Sequence, residues 1–422
     1  MIRQPKIITT MQNYSWANLL ADGVAGLTVA MVALPLSIAI AIASGASPEK
    51  GLLTAIIGGF FISLLGGSRV QIGGPTGAFI VIVYAVIAEH GYDGLILSTF
   101  MAGILLVIGG YFRAGRFISF IPEAVINGFT IGIAVIIATS QFKDFLGLHI
   151  GQGHAEFLST LSDLWSARGS LNLYALGLGA LSIFIVVFLR RMDQRIPGLV
   201  LAVLLGSWAV AFFDFPVATV ATRFDSFSFQ LPPLGLPEVT WDRLRELFPS
   251  ALIIAFLAGV ESLLSALVAD RMIQSRHRSS AELLAQGFAN IASSLCGGLP
   301  ATGAIARTAT NIKAGGKTPV AGLIHALVIL IVVLFMAPLI GYIAMPVLAA
   351  ILLVTAWNMS EPHKLKELFA KDWSEKLLLL STLLFTVFVD LTVAIAVGVS
   401  LGLLLRLSKR RSVKSDWTPP ER

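Results

Sequence analysis

Two short and nearly identical stretches have the residue types needed to bind an anion away from water. They are Gly74-Pro75-Thr76-Gly77-Ala78 and Pro300-Ala301-Thr302-Gly303-Ala304. Each follows a glycine-rich break and begins an apolar run too short to cross a bilayer comfortably, a pattern typical of transporter binding sites. A helix that starts there directs free N–H groups and the positive end of its dipole at the mid-membrane. The predicted anion-binding residues at the two starts are Thr76, Gly77, Ala78, Ala301, Thr302, Gly303 and Ala304.

The acidic residue Glu261 is a candidate for ion binding because of its position in the sequence. It lies well inside an apolar run that begins near residue 249, about 18 Å along a helix at 1.5 Å per residue. A carboxylate at the bilayer centre is costly unless it is paired or hydrated. We therefore predict that Glu261 binds the coupling ion, H+ or Na+, with Ser265 one turn further along the same face. For Na+, the predicted ligands are Glu261, Ser265 and Thr302.

Arg307 is the matching cation, five residues after Thr302. Its long side chain can bend back and add positive charge to the anion pocket. The alternatives are that it extends to the cytoplasmic interface or neutralises Glu261 as a structural pair. Ser37 joins the predicted site if the first helix is suitably rotated.

Composition excludes most soluble classes of protein. Hydrophobic residues make up 56% of the chain, charged residues 13%, and the mean hydropathy is +0.84, whereas a soluble protein has about 25% charged residues. The single cysteine, Cys296, excludes an internal disulfide or a thiolate cluster. No paired acids, histidine cluster or Ser–Lys dyad lie at one depth, so we predict neither an enzyme nor a bound cofactor.

Apolar runs predict an all-α polytopic membrane protein of about 14 transmembrane segments. The predicted spans are 20–44, 51–65, 75–88, 94–112, 123–142, 171–189, 197–213, 249–269, 282–297, 301–313, 319–337, 343–358, 375–390 and 391–407. Segments 3 and 10, the second-shortest and shortest of these, are the two half-helices.

The charges support this layout and orient it. If even-numbered segments end in the cytoplasm, Arg307 lies within a span and most of the 30 Lys and Arg residues lie on the inner side. The cations left outside are Lys50, Lys143, Arg168, Arg223, Arg243 and Arg245. The positive-inside rule then predicts a multi-pass protein of the cell inner (plasma) membrane with both termini cytoplasmic. The net charge of +6 is a topology signal and indicates no nucleic-acid partner.

The chain also divides into two related halves. Thr76-Gly77-Ala78 and Thr302-Gly303-Ala304 are separated by 226 residues, and the proline-containing starts near Pro122 and Pro346 by 224. Seven segments per half require opposite orientations, which predicts an inverted repeat. The predicted parts are a cytoplasmic N-terminal segment (1–19), the first repeat (20–213), an extracellular linker (214–248), the second repeat (249–407) and a basic cytoplasmic tail (408–422).

These motifs together resemble the transmembrane domain of the sulfate permease (SulP) family of anion transporters. The stretches that carry the resemblance are Ala33-Leu34-Pro35, Gln71 to Gly77, Ile121 to Phe129, and Ala301 to Thr308. The resemblance implies a seven-plus-seven inverted repeat split into core and gate domains, with the gate formed by segments five to seven and twelve to fourteen. It places the anion between the starts of segments 3 and 10, and implies a homodimer. The family's usual cytoplasmic STAS domain is missing from this chain.

Departures from the family pattern leave the substrate open. Leu36 and Ile40 stand where many relatives have Gln and Tyr, and Ala304 and Ala306 where relatives often have serines. The stretch around segment eight is similar to cyanobacterial bicarbonate transporters, but with Glu261 where those have Asp. Glu261 therefore leaves H+ and Na+ coupling open.

The sequence as a whole predicts a secondary active transporter of small inorganic anions with an elevator-like mechanism. Sulfate is placed slightly ahead of bicarbonate. A dicarboxylate transporter, a passive anion channel and a nucleobase permease are the alternatives. A nucleobase permease would have a second acidic residue at the start of segment 10, and residues 301–306 contain none.

Overall fold

A computed structural model describes residues 4–115, 122–150, 157–193, 196–224, 235, 239–362, 372–389 and 391–408. Residues 1–3, residues 225–234 and 236–238 of the predicted linker, and residues 409–422 of the predicted tail lie outside the described residues. So does Ile121 of the segment-five motif.

The described chain is built from helices, numbered here in chain order. They are α1 (Lys6–Thr10), α2 (Trp16–Ala43), α3 (Pro48–Leu65), α4 (Ile80–Tyr111), α5 (Glu123–Phe145), α6 (Phe157–Ser166), α7 (Leu173–Met192), α8 (Gly198–Phe213), α9 (Val220–Phe224), α10 (Trp241–Ile273), α11 (Ser279–Leu295), α12 (Ile305–Lys313), α13 (Val320–Ile340), α14 (Met345–Met359), α15 (Trp373–Phe388) and α16 (Leu391–Ser408). Within the described part, seven helices are long and apolar enough to cross a membrane: α2, α3, α4 with the turn before it, α5, α7, α10 and α13.

Local sequence signals determine where several of these helices begin. The Ser15 hydroxyl accepts a hydrogen bond from the Asn18 backbone N–H at 3.2 Å and so caps α2. The Asn172 side chain caps α7 in the same way, and a proline at the first turn begins α3. Such side-chain oxygens satisfy N–H groups that the first turn leaves without a partner. Caps of this kind let a sequence predict helix starts within a few residues.

The structure corrects two predicted boundaries and agrees with a third. Predicted segments 3 and 4 are two helical stretches between Gly77 and Tyr111 that meet at a kink at Gly91, where a φ of 72° is available to a residue without a Cβ. Segment 8 begins at Trp241 rather than 249, because Thr240 caps the helix there. Segment 10 begins at Ile305 rather than 301, because the preceding residues form a strand.

That strand joins the two halves of the chain. Strand β1 (Gly73–Gly74) pairs antiparallel with strand β2 (Thr302–Gly303), with Gly73 opposite Gly303 and Gly74 opposite Thr302. If the pairing is continued by one residue, Pro75 lies opposite Ala301. These two residues occupy the same position in the two repeats, because they are 226 residues apart in the sequence. A two-fold axis that relates the repeats and passes between Pro75 and Ala301 produces this pairing, so the strand pair has the symmetry that the sequence predicts.

The helices pack into two groups, and each group takes elements from both halves. One group, the core, contains α2, α3, α4, α10, α11, α12, α13 and both strands. The other group, the gate, contains α5, α7, α8, α14, α15 and α16. The gate comprises the described parts of predicted segments five to seven and twelve to fourteen. The core and gate arrangement is therefore as the sequence predicts.

Two connections between core and gate are bonded to each other at one end of the molecule. Thr219 forms a β-bridge with Ala344, and the Val220 backbone N–H donates to the Ile343 carbonyl at 2.9 Å. The Arg223 guanidinium also donates to both carboxylate oxygens of Asp144, at 2.8 and 2.9 Å. Helix α9 is thereby fastened both to the α13–α14 connection and to the end of α5.

Candidate anion site

A cavity of about 890 Å³ lies between the core and the gate. The predicted site residues that line it are Thr76, Gly77, Ala78, Glu261, Ala304 and Arg307. The other predicted residues lie behind this wall, buried in the core: Ser37, Ala301, Thr302, Gly303 and Ser265. Leu36 and Ile40 also line the cavity, so its wall is apolar where many relatives carry polar side chains.

Arg307 is held at the back of the cavity by the first half of the chain. Its Nη2 donates to the Ser37 hydroxyl at 3.1 Å and to the Pro75 carbonyl at 3.0 Å. The side chain is 1% exposed, and within the described residues its Nη1 and Nε have no hydrogen-bond partner. Gly74 makes this position available, because a Cβ there would lie 2.2 Å from Nη1. A buried cation with two unused donors can bind an anion in two directions.

Glu261 contacts the first half-helix start rather than Arg307. Its Oε2 accepts a hydrogen bond from the Thr76 hydroxyl at 2.8 Å. No ion pair joins Glu261 to Arg307 among the residues that the structure describes. The two opposite charges nevertheless lie close enough to interact electrostatically, and both groups lie at the cavity wall. Neutralisation of Glu261 by Arg307 stays a prediction.

The second half-helix start is fixed more tightly than predicted. The Ala301 N–H donates to the Asn290 side-chain oxygen at 2.9 Å, and the Asn290 amide donates back to the Ala301 carbonyl at 2.8 Å. The Ala304 N–H donates to the Ile72 carbonyl at 2.9 Å. The predicted free N–H groups of Ala301 and Ala304 are thus occupied. The N–H groups without an intrahelical acceptor belong to the first turn of α12, which begins at Ile305.

Each of the three predicted sodium ligands is hydrogen-bonded in this structure. The Thr302 hydroxyl donates to the Ala258 carbonyl at 2.8 Å, and the Ser265 hydroxyl donates to Thr308 Oγ1 at 3.3 Å. Glu261 is held by Thr76, on another side. A hydroxyl that donates its hydrogen still has lone pairs available to a cation, so Na+ binding by these ligands stays a prediction.

Sequence reasoning missed a buried carboxylate, Glu282 on α11, that positions the site from behind. Its partners are the Gly67 and Ser68 N–H groups (2.8 and 3.1 Å), the Ser262 hydroxyl (3.2 Å) and the Gln286 amide (2.9 Å). Gln71 continues this network, because its Nε2 donates to the Ser262 carbonyl and hydroxyl at 3.2 and 3.0 Å. An acidic residue at the edge of a predicted span was the signal available in the sequence.

The same network explains why position 303 is glycine. A Cβ on Gly303 would lie 1.6 Å from Gln71 Nε2. The Gln71 amide therefore packs directly against the strand pair while it bonds to α10. Because Ser262 is the neighbour of Glu261, the network fixes the depth of Glu261 relative to both half-helix starts.

Known proteins share this architecture. The transmembrane domain of the cyanobacterial bicarbonate transporter BicA is similar in structure, with a TM-score of 0.82 and 31% sequence identity, over 90% of this chain and 98% of that one. The murine Slc26a9 anion transporter in the inward-facing state gives a TM-score of 0.87 at 17% identity, over 96% of this chain and 71% of that one, and so shows the fold alone.

Sequence comparison identifies the family. The chain is 43% identical over 383 residues to the putative sulfate transporter YvdB of Bacillus subtilis (strain 168), over 90% of this chain and 72% of that protein. It is 32% identical over 410 residues to the bicarbonate transporter BicA of Picosynechococcus, over 94% and 72%. The profile of the sulfate permease family matches residues 19–382. The fold, the paired half-helix starts and these matches agree, and the chain belongs to the sulfate permease family.

Proposed function

We propose that the chain is a secondary active transporter of small inorganic anions, with sulfate as the first candidate. The observation that carries the proposal is the buried Arg307 guanidinium at the cavity wall, whose Nη1 and Nε have no hydrogen-bond partner within the described residues. A buried guanidinium with unused donors is costly, and an anion between the two half-helix starts offsets that cost. The similarity to a putative sulfate transporter supports sulfate as the anion.

The anion is bound by charge and by backbone N–H groups more than by hydroxyls. Arg307 supplies the charge from behind, and the first turn of α12 supplies N–H groups and the positive end of the helix dipole. Leu36 and Ile40 of α2 also line the cavity and offer no hydrogen bonds. Selection under this proposal depends on the anion's charge and size rather than on a specific set of side-chain donors.

The coupling ion is proposed to bind at Glu261. Its carboxylate lies at the cavity wall and accepts one hydrogen bond, from Thr76, which belongs to the first half-helix start. A proton or Na+ at this carboxylate compensates the charge of an anion bound between the starts. A proton would bind Glu261 alone, whereas Na+ would also use the Ser265 and Thr302 oxygens, whose lone pairs remain available, so the geometry is compatible with either ion.

The transport step is proposed to be elevator-like. The strand pair, Arg307 and Glu261 all belong to the core, while the facing cavity wall is formed partly by gate residues such as Phe129 and Val354. Movement of the core along the gate would carry the site across the membrane. Arg190, Arg271 and Lys313 line the open end of the cavity, and by the positive-inside rule this end faces the cytoplasm.

Bicarbonate is the second candidate substrate. The similarity to BicA, at 32% identity over 94% of the chain, favours it. The protonatable carboxylate and the cationic pocket described here accommodate either anion, because both substrates are small oxyanions.

The first experiment is uptake of labelled sulfate into proteoliposomes, with and without an inward H+ or Na+ gradient, and with excess bicarbonate as competitor. Gradient-stimulated uptake that bicarbonate leaves intact supports a sulfate symporter and identifies the coupling ion. Uptake abolished by bicarbonate, or no sulfate uptake, transfers the assignment to bicarbonate or a carboxylate. Steady chloride current without any gradient requirement would instead support a passive channel.

Membrane orientation and oligomeric state are proposed as an inner-membrane protein with cytoplasmic termini that forms a homodimer. Arg168 and Arg191 are both exposed and lie at opposite ends of the gate. In a Cys296→Ser background, Arg168→Cys should react with an impermeant maleimide in intact cells, and Arg191→Cys should react only after lysis. The reverse pattern contradicts the topology. Light scattering of the detergent-purified protein measures the dimer.

A further inference from the structure

Three cations meet at one end of the core, where the N-terminal segment contacts two connections between core helices. The Lys6 backbone N–H donates to the Gly66 carbonyl at 2.8 Å, and Lys6 Nζ donates to the Arg276 carbonyl at 3.2 Å. Arg278 Nη1 donates to the Gln4 carbonyl at 2.9 Å. Helix α1 is therefore fastened to the turn after α3 and to the α10–α11 connection. The cations Lys6, Arg69 and Arg278, here called the basic cluster, lie within these segments.

The positive charge of the basic cluster is poorly compensated. Burial lowers the pKa of Lys6, and the charges of Arg278 and Arg69 lower it further. The carboxylate that opposes this effect is Asp270. Asp270 is already occupied, since its Oδ2 accepts from the His277 backbone N–H and contacts His277 Nδ1, both at 2.7 Å.

Arg69 has hydrogen-bonding capacity that nothing uses. Within the described residues its side chain forms no hydrogen bond, and its Nε is buried away from water. A buried guanidinium N–H without an acceptor is costly. The fork of N–H groups on arginine matches phosphate oxygens in geometry, and a neighbouring lysine adds charge.

The surroundings of α1 indicate which phosphate would reach this place. Beside the basic cluster, Ile8, Met11 and Trp16 are 51%, 47% and 73% exposed. Apolar and tryptophan side chains exposed around a short helix at the start of the first span are typical of a segment lying at headgroup depth. A lipid whose phosphate meets the cations would have its acyl chains along these side chains.

We propose that Lys6, Arg69 and Arg278 form a binding site for the phosphate of an anionic lipid headgroup. The site lies on the core, at its end, outside the cavity that holds Glu261 and Arg307. Basic pockets at the ends of membrane helices bind such headgroups through the same chemistry. Because α1 is bonded to both core connections, the bound lipid stabilises the packing of the N-terminal segment on the core.

The test measures the thermal midpoint of the full chain in phosphatidylcholine nanodiscs, with and without phosphatidylglycerol. A ligand that binds only the folded state stabilises it, so we expect phosphatidylglycerol to raise the midpoint by about 2–5 °C. The double variant Lys6→Gln/Arg69→Gln should lose this rise. The matched control is Arg191→Gln, an exposed cation at the end of α7, which should keep it.

The basal midpoint in pure phosphatidylcholine shows whether each variant folds. If the double variant does not fold, Arg69→Gln alone is tested, with phosphatidylglycerol retained through purification measured as a second readout. An equal rise in the double variant and the wild type, or no rise in the wild type, overturns the proposal. Inorganic phosphate that raises the wild-type midpoint in pure phosphatidylcholine, but not that of the double variant, assigns the site to free phosphate and overturns the lipid assignment.

Discussion

The two half-helix starts share a backbone but differ in what their side chains do. At the first start, the Thr76 side chain reaches the cavity and donates to Glu261. At the second start, the equivalent Thr302 is buried and donates to the Ala258 carbonyl. Asn290 fixes Ala301 from both sides at the second start, where helix α12 carries Arg307. The first start therefore contacts Glu261, the proposed coupling residue, and the second is an anchor for Arg307.

The two copies of an inverted repeat can therefore contribute different side chains to one site. The register of the strand pair follows the symmetry of the repeat. The charged side chains of the second half, in contrast, bond to residues of the first half. Arg307 of the second half is held by Ser37 and Pro75 of the first, and Glu261 of the second half is held by Thr76 of the first. Each charged group of the site is thus positioned by the opposite repeat.

The largest effect is expected from glycine substitutions that separate the two starts. Gly303→Ala places a Cβ 1.6 Å from Gln71 Nε2, so either the strand pair or the Gln71 network must shift. We expect a loss of about 3 kcal/mol or more in the free energy of unfolding, together with loss of transport. In Gly77→Ala the nearest atom to the new Cβ is the Met359 sulfur at 3.1 Å, and the substitution should cost below about 1 kcal/mol, since methionine is adaptable. Equal thermal midpoints of the two variants would contradict the conclusion that the second half-helix start is the more tightly fixed of the two.

Glu261→Gln tests the coupling role assigned to the carboxylate. Glutamine preserves the size of the side chain and an oxygen that can accept from Thr76, but it carries neither charge nor exchangeable acid. We expect gradient-driven accumulation to be abolished while anion exchange across the membrane persists. Uptake and counterflow in the same proteoliposomes measure both. Undiminished uphill uptake would show that Glu261 does not bind the coupling ion.

Arg307→Ala tests the anion site at the second start. Hydrogen bonds to charged groups contribute about 1.5–3 kcal/mol each, so the apparent Km for the anion should rise about 10-fold to 100-fold. Arg307→Lys keeps the charge and should recover part of the loss. Ser37→Ala removes a partner of Arg307 but leaves the cation in place, and is the matched control with a smaller effect. An unchanged Km in Arg307→Ala would leave Arg307 with a structural role only.

The smallest effect, and the sharpest contrast, is expected from the two equivalent threonines. Thr76→Val removes the hydrogen bond to Glu261 and should shift the coupling-ion dependence of uptake by about 3-fold to 10-fold with little change in stability. Thr302→Val removes a bond to helix α10 and should lower stability by about 1 kcal/mol with unchanged coupling. Parallel ion titrations and thermal scans separate the two. Equal changes in ion dependence and in stability for both variants would mean that the two threonines have the same role.

Much of this arrangement could be predicted from the sequence, because apolar runs between Gly, Pro and capping residues define membrane helices. The boundaries of α2, α5 and α8 fall within a few residues of those predicted. The strand pair could not be predicted, because two residues such as Gly73–Gly74 carry no periodic pattern. The break between predicted segments 3 and 4 was located correctly, since Gly91 lies in the gap between residues 88 and 94.

Side-chain partners were harder to predict than positions. Glu261 and Arg307 were identified by the cost of burying a charge, which sequence reveals directly. Their actual partners, Thr76 and Ser37, depend on helix rotation and on long-range contacts that a single sequence does not encode locally. Glu282 was overlooked although the same cost applies to it, so the criterion could have been extended to every acid in a predicted span.

The bridge between Thr219 and Ala344 has a mechanical consequence. Each residue lies in a connection between core and gate, and backbone hydrogen bonds tie the two connections into one strap, which the bidentate Arg223–Asp144 contact fastens to the gate. If the core moves along the gate as proposed, this strap does not lengthen, and the chain on its core side has to accommodate the movement. In the α13–α14 connection that chain includes Pro338, inside α13, where an interrupted backbone ladder bends most easily. Under the proposed elevator step, this end of α13 is therefore a hinge between the two groups of helices.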